Sequence, residues 1–461
     1  MSDYSKEQGD VNATELRRKY TDSHWSGETR ALAEEDAAYF LHQSLSTPVL
    51  QALSKAEGIH IYDLDGKKYI DMHGNGVHAA GFNNDDVIEA VISALREKNT
   101  FSPRRYTNKH AVALAKKLVE ITPPGLDRVL FAPGGSEAIE MAVMLAKQAT
   151  GKWKTISFWD SYHGNGFQAS SIGGEELFKG GNGPMVPGAL HVEFPNYYRN
   201  PWGFSAPEAV DDEIIRQMEI LFEKEGEIAC VIGEPVSATP IIPSPSFWIR
   251  VKELCEKHGA LLIFDEIIEG FGRTGNMFAC EQFVTPDILV LGKSLGGGLF
   301  PFAGIVASER LNVLQHRSIG HYTHEKNGIC AAAGLAMIEV LEKHQLPVKA
   351  KEVGRLALEW LEEMKERRPS VGHIYGLGLH IGIELVKNRS NKEKAMIESE
   401  RVMYRAMERG VAFKIIEGNV ITLRPSLLID WEEMKWALEQ IEACIEAVES
   451  DGGNERGVVS R

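Results

Sequence analysis

The chain of 461 residues contains no run of about 20 apolar residues, so no membrane-spanning helix is expected. Its opening segment, MSDYSKEQGDVNATELRRKY, lacks the apolar core of an export signal. Cysteine is scarce: Cys230, Cys255, Cys280, Cys330 and Cys444 are scattered, odd in number and nowhere in CxxC spacing. That pattern argues against a disulfide frame or a zinc site and fits reduced thiols in a cytoplasmic protein. An excess of basic residues is also missing. With 50 Lys+Arg against 65 Asp+Glu the net charge is −15, which repels nucleic acid and anionic membranes. A small anionic ligand stays open, because a local basic cluster can oppose the overall charge.

What is present is ordinary for a soluble enzyme, with 43% hydrophobic and 25% charged residues. The length suits a large α/β core with a smaller attached domain. The first forty or so residues are charged and helix-prone and are expected to form an arm. IHIYDLDGKKYIDM (59–72) alternates around Asp65-Gly66, a hairpin pattern. From about 83 to 344, the short apolar runs RVLFAP, KTISFW, ACVIGEP, LLIFDE, DILVLGK and AGIVAS alternate with amphipathic stretches. Continuous apolar runs mean strands buried on both faces, hence a mostly parallel sheet between helices. The expected organisation is an arm and hairpin over 1–75, a large domain over 76–344, a small α+β domain over 345–449 and a disordered tail over 450–461. In such sheets sites lie beyond the carboxyl ends of the strands.

Polar residues of particular types stand at those ends. FAPGGSEAIEMAVMLAKQ leaves a strand and opens a helix, placing Gly134, Gly135 and Ser136 where free N–H groups and the helix dipole favour a phosphate; Ser136 as a plain helix cap is the alternative. Past KTISFW come Tyr162, His163 and Gly164, where the tyrosine can stack on a flat heterocycle or simply pack. LLIFDE puts Asp265 and Glu266 at a buried strand end, where a carboxylate needs a cation or donors. A pyridinium nitrogen is one such partner for Asp265, and Arg273 is another for Glu266. Lys293, 28 residues beyond Asp265, ends the apolar run ILVLG and precedes Gly296, Gly297 and Gly298. Desolvation there lowers a lysine's pKa and leaves a nucleophilic amine, whereas a lysine snorkelling into a turn is the plainer reading. Phosphate cradle, stacking ring, buried acid and lysine together can hold pyridoxal 5′-phosphate (PLP) as a Schiff base.

GGSEA, YHG, GEPV, FDEIIEGFGRTG and PDILVLGKSLGGG resemble the class III aminotransferase family, over about residues 40–448. The resemblance implies the PLP-dependent transferase fold type I and a homodimer with shared active sites. It implies that Lys293 and Asp265 are catalytic, and that Gly135, Ser136, Tyr162, His163, Glu234, Ile268 and Thr323 line the cofactor site, Thr323 reaching the phosphate of the partner subunit.

Some positions depart from the family pattern. In VITLRPSLLI, Thr422 stands where many members carry an arginine for the carboxylates of amino and keto acids, with Arg424 two residues on. Ile268 replaces a frequent glutamine, VSATP replaces VQGEG, and EKNG replaces GGNP. These changes leave the cofactor set intact and disfavour 2-oxoglutarate as acceptor. GDVNATELRR, YFLHQSLSTPVL, HGNGVH, FSPRRYTN and SIGGEELFKGGNGP resemble a narrower group of the family, ammonia-lyases of (R)-1-hydroxy-2-aminoethylphosphonate in bacterial phosphonate breakdown. That likeness implies a lyase acting on an anionic amine; a transaminase using pyruvate or a similar acceptor is the alternative. A dianionic phosphonate calls for guanidinium partners, and Arg104, Arg105 and Arg424 are the candidates, with Asn75 and its neighbours His73 and His78 as further pocket residues.

Overall fold

The computed structural model describes residues 13–43, 46–98, 100–103 and 105–451. The chain forms two compact units, Gly76–Lys351 and the pair of segments Met1–Asn75 with Glu352–Arg461.

The larger unit is built on a seven-stranded sheet. Across it the strands run Arg128–Ala132, Ala303–Ala307, Ile288–Leu291, Leu261–Asp265, Ile228–Gly233, Lys154–Phe158 and Ala189–Val192. All are parallel except Ala303–Ala307, which is antiparallel to both neighbours. The central strands Ile228–Gly233, Leu261–Asp265 and Ile288–Leu291 are buried along their whole length, as unbroken apolar runs require. Helix Gly135–Thr150 lies on this sheet: Ile139, Ala142, Val143 and Ala146 are fully buried and join Ile263, Val290 and Ile305 in one core cluster. Each fully buried valine or isoleucine among them contributes about 1.5–3 kcal/mol, and each alanine methyl about 0.8 kcal/mol. The helix stops at Gly151, which takes a left-handed conformation and donates its N–H to Lys147 O. The strand Ala189–Val192 is absent from the sequence expectation because, at the sheet edge, it is mostly half-buried and carries a short, mixed run.

In the smaller unit, His60–Asp63 and Lys68–Asp71 form the expected antiparallel hairpin, and Leu53–Glu57 adds a third strand. Val411–Ala412 pairs in parallel with Lys68–Asp71. A second sheet orders Val371–Leu377, His380–Asn388, Val420–Leu423 and Lys414–Ile416, with Glu393–Lys394 paired to His380–Asn388. The arm consists of helices Glu15–His24 and Gly27–Tyr39, capped by Thr14 and Ser26.

Two boundaries differ from expectation. The division falls at Glu352, inside helix Leu346–Arg367, because the start of that helix belongs with the larger unit: a Cβ on Gly275 would come 2.9 Å from Lys351 Cβ. The closing helix Trp431–Asp451 includes Ser450 and Asp451, where a disordered tail was expected to begin; 452–461 lie outside the described residues. Among the described residues, no helix is long and apolar enough to cross a membrane.

Candidate active site

The parallel strands of the larger unit all end on one edge of the sheet, and the residues singled out from the sequence follow those ends. Asp265 closes its strand, Glu234 directly follows Ile228–Gly233, and Lys293 follows Ile288–Leu291 after Gly292. Tyr162 and His163 come shortly after Lys154–Phe158, and Gly134 shortly after Arg128–Ala132. The topology thus gathers side chains from widely separated segments.

At the centre, His163 Nδ1 lies 2.8 Å from Asp265 Oδ2, with both side chains almost fully buried. Asp265 Oδ1 accepts the N–H of Ile267 at 3.1 Å. An ionised carboxylate only accepts, so the imidazole proton sits on Nδ1. Burial opposes a charge on His163, but the hydrogen bond to Asp265 and the charges of Asp265 and Glu234 outweigh it and raise its pKa above the ordinary imidazole value. Glu234 in turn accepts the N–H of Ala238 at 3.1 Å. Glu266, beside Asp265, is turned the other way. Its two oxygens each accept a backbone N–H at 2.7 Å, from Ala279 and Cys280, tying the following turn to the strand end. Burial lifts its pKa to about 7 against the pull of those two bonds.

At the helix Gly135–Thr150, Gly134 is the cap residue and makes no side-chain cap bond, so Ser136 is not the helix cap. Ser136 Oγ instead accepts the N–H of Asn165 at 3.1 Å, joining the first helical turn to the loop after Tyr162 and His163. Gly164 makes this approach possible: its φ is +126°, and a Cβ there would come 2.8 Å from Ser136 Cα. A Cβ on Gly135 would meet Ile267 Cδ1 at 2.9 Å, and one on Gly292 would meet Ile267 Cγ1 at 3.2 Å. Ile267 therefore packs between the helix start and the residue before Lys293. Sequence reasoning named Ile268 and not Ile267, which lies in the turn after the strand has ended, where no regular period marks a residue.

Lys293 is half-buried and has a positive φ of 44°. Its stem borders Gly76, where a Cβ would lie 3.6 Å from Lys293 Cδ, and the next residue, Ser294, donates its hydroxyl to Gly76 O at 2.9 Å. Tyr162 is half-buried with its ring centroid 4.4 Å from that of Phe178. Burial, then the charges of Glu175 and Asp265, raise its pKa.

Of the other candidates, some are exposed and some belong to the smaller unit. Thr323 is exposed in the turn before helix Gly328–Lys343, and Arg105 and Asn75 are exposed. Arg104 lies outside the described residues. Thr422 is fully buried and donates its hydroxyl to Lys414 O at 3.0 Å. Arg424 is buried within the smaller unit, with its Nε 3.0 Å from His380 Nε2.

The donor set of the larger unit fits PLP. A buried carboxylate held by a histidine suits a protonated pyridine nitrogen, the first turn of a helix that is capped by Gly134 and opens on Gly135 suits a phosphate, and an amine stands just past the adjacent strand end.

Comparison with known proteins agrees with this arrangement. The class III aminotransferase family profile matches residues 42–445. The chain is 41% identical over 461 residues to the (R)-1-hydroxy-2-aminoethylphosphonate ammonia-lyase of Vibrio splendidus, covering 97% of this chain and 96% of that one. It is 32% identical over 404 residues to a leucine/methionine racemase of Thermococcus litoralis, covering 86% of this chain and 90% of that one. Among solved structures, a PLP-bound amine transaminase from an uncultivated Pseudomonas species is similar with a TM-score of 0.83 and 30% identity, over 89% of this chain and 99% of that one. This chain belongs to the class III aminotransferase family.

Proposed function

We propose that the protein is a PLP-dependent ammonia-lyase that converts (R)-1-hydroxy-2-aminoethylphosphonate to phosphonoacetaldehyde and ammonia. The observation that carries the reading is the contrast between an intact Lys293, Asp265 and His163 set and a buried, hydrogen-bonded Thr422 where a keto-acid-binding arginine is expected. An enzyme with no second half-reaction has no use for that arginine. The 41% identity to an ammonia-lyase over nearly the whole chain supports the same conclusion.

When bound, PLP supplies an electron sink conjugated to the substrate amine. The chain's own residues do the rest. Asp265, oriented by His163 and the Ile267 N–H, keeps the pyridine nitrogen protonated. Gly135 and Ser136 hold the phosphate at the helix start, Tyr162 and Ile267 flank the ring, and Ile268 and Glu234 belong to the surrounding wall. Lys293 Nζ, as a neutral amine, takes the proton from the amine-bearing carbon. The electron pair left on that carbon expels the neighbouring hydroxyl, which leaves as water with the proton returned. The enamine released takes up water, giving the aldehyde and ammonia. The enzyme works in the cytoplasm as a homodimer, Thr323 of each subunit serving the phosphate bound by the other.

The test is to mix the PLP-loaded enzyme with the substrate and no keto acid, and to follow ammonia and aldehyde. Many turnovers with the visible absorbance of the loaded enzyme retained are expected. One stoichiometric conversion that needs pyruvate to continue identifies a transaminase, the reading favoured by the solved amine transaminase of similar fold.

A further inference from the structure

The loop that carries Tyr162, His163 and Gly164 runs from strand Lys154–Phe158 to the short helix Phe167–Ile172, so its course depends on how that helix is held. The C-terminal end of the helix is tied to the strand, because Ser157 donates its hydroxyl to Ile172 O at 2.5 Å. The other end has no cap of its own: its cap residue, Gly166, makes no side-chain cap bond. Free N–H groups at a helix start need acceptors, and here another element supplies them. Glu140, in helix Gly135–Thr150, accepts the N–H groups of Gln168 and Ala169 on Oε1 at 3.1 and 3.0 Å. Gly166 leaves room for this carboxylate, since a Cβ there would come 2.6 Å from Glu140 Oε1.

The Glu140 side chain is itself fixed. Gln168 Nε2 donates to Glu140 Oε2 at 3.0 Å, and Lys147, about two turns further along the helix of Glu140, donates Nζ to Gln168 Oε1 at 2.6 Å. Each donor in this set meets an acceptor: the ammonium an amide oxygen, the amide and backbone N–H groups a carboxylate. Bonds to an ionised acceptor are the stronger kind. One turn before Glu140, Ser136 Oγ accepts the N–H of Asn165 at 3.1 Å. Helix Gly135–Thr150 therefore holds the loop and the helix after it at two points, one on each side of Gly166.

We propose that Glu140 is a positioning residue for the cofactor site. By capping helix Phe167–Ile172 from helix Gly135–Thr150, it sets Tyr162 and His163 at a fixed distance from Ser136. The inference rests on the reading of these three residues as part of the PLP site. Glu140 acts through residues 159–166 and not on the reacting atoms.

Glu140→Gln breaks the donor pattern in every orientation. Whichever way the two amides turn, one N–H group faces another donor, from Gln168, the backbone or Lys147. Combining Glu140→Gln with Gln168→Glu restores the pattern with the roles exchanged. The new amide at position 140 keeps its carbonyl on the two backbone N–H groups and donates to the new carboxylate at 168, whose other oxygen accepts from Lys147. The PLP-free proteins are titrated with PLP by visible absorbance, and hydrogen exchange is followed without PLP. Glu140→Ala and Glu140→Gln are each expected to need about tenfold more PLP for half-saturation. Amides of 161–172 are expected to exchange faster in both, with the rest of the larger unit as in wild type. The double variant is expected to return to within about threefold of wild type. Wild-type PLP affinity in Glu140→Ala, or a loss that the double variant does not recover, would overturn the proposal. If Glu140→Ala does not fold, Glu140→Gln and the double variant decide. A wild type that takes up PLP with this dependence on Glu140, yet releases no ammonia from the hydroxylated substrate, removes the lyase reading and leaves the role of Glu140 standing.

Discussion

Two adjacent carboxylates, Asp265 and Glu266, show how environment assigns roles to single residues. Asp265 faces His163, while Glu266 is turned to backbone N–H groups and is lifted by burial to about 7. A carboxyl whose folded pKa lies above its unfolded value binds more protons in the native state. Its favourable contribution is full below the unfolded value near 4.5 and is lost as pH rises through about 7. The shift corresponds to about 3 kcal/mol. Glu266→Gln, which cannot ionise, is therefore expected to gain stability relative to wild type by about that amount between pH 4.5 and 7.5. Paired thermal melts of the two proteins across that range check it; a pH-independent difference would mean that Glu266 stays ionised throughout. Lys293 makes a sharper demand. Lys293→Ala is expected to lose about 10³-fold or more of the ammonia-releasing rate while remaining folded, and a variant that keeps turning over would sink the assignment of the proton-moving base. The residue types at the strand ends were readable from the sequence because each stands out against an apolar run. The His163–Asp265 bond was not, since 102 residues separate the two and only the parallel order of their strands brings them together.

At the scale of elements, the place proposed for the phosphate depends on a loop and a helix approaching closely, and Gly164 comes close to the helix at Ser136. Alanine there would force a side chain onto φ +126° and push Cβ to 2.8 Å from the Ser136 backbone, which no rotamer change relieves. Strain of this kind costs about 1–3 kcal/mol. Gly164→Ala is expected to weaken PLP retention about tenfold or more, measured as the concentration of PLP that restores the visible absorbance of the resolved enzyme. Gly135→Ala serves as the contrast. Its Cβ would meet only the tip of the Ile267 side chain, which can rotate, so a smaller loss is expected. The long apolar runs disclosed the central strands and the register of helix Gly135–Thr150, because buried strands and amphipathic helices impose different periods. The short edge strand Ala189–Val192 left no such mark, and neither did the contacts of Arg424, because His380 and His73 reach it through cross-strand register and a turn, which spacing along the chain does not encode.

For the whole molecule, the remaining question is how many chains build one site. Thr323 is exposed in the turn before helix Gly328–Lys343, as suits a residue that serves a neighbouring subunit. If each site takes Lys293 from one subunit and Thr323 from the other, two different defects can complement each other. Lys293→Ala alone has no working site. Thr323→Glu alone sets a negative charge against the phosphate in every site. In a mixed dimer, one site receives both mutations and the other receives neither. Random exchange of equal amounts makes about half the dimers mixed, each with one intact site, so about a quarter of the wild-type activity is expected to return. The measurement is ammonia release from the two inactive proteins before and after joint unfolding and refolding with PLP. Recovery near that fraction requires a closed dimer with shared sites, whereas no recovery, with both variants folded and dimeric by sedimentation, places Lys293 and Thr323 in the service of separate functions.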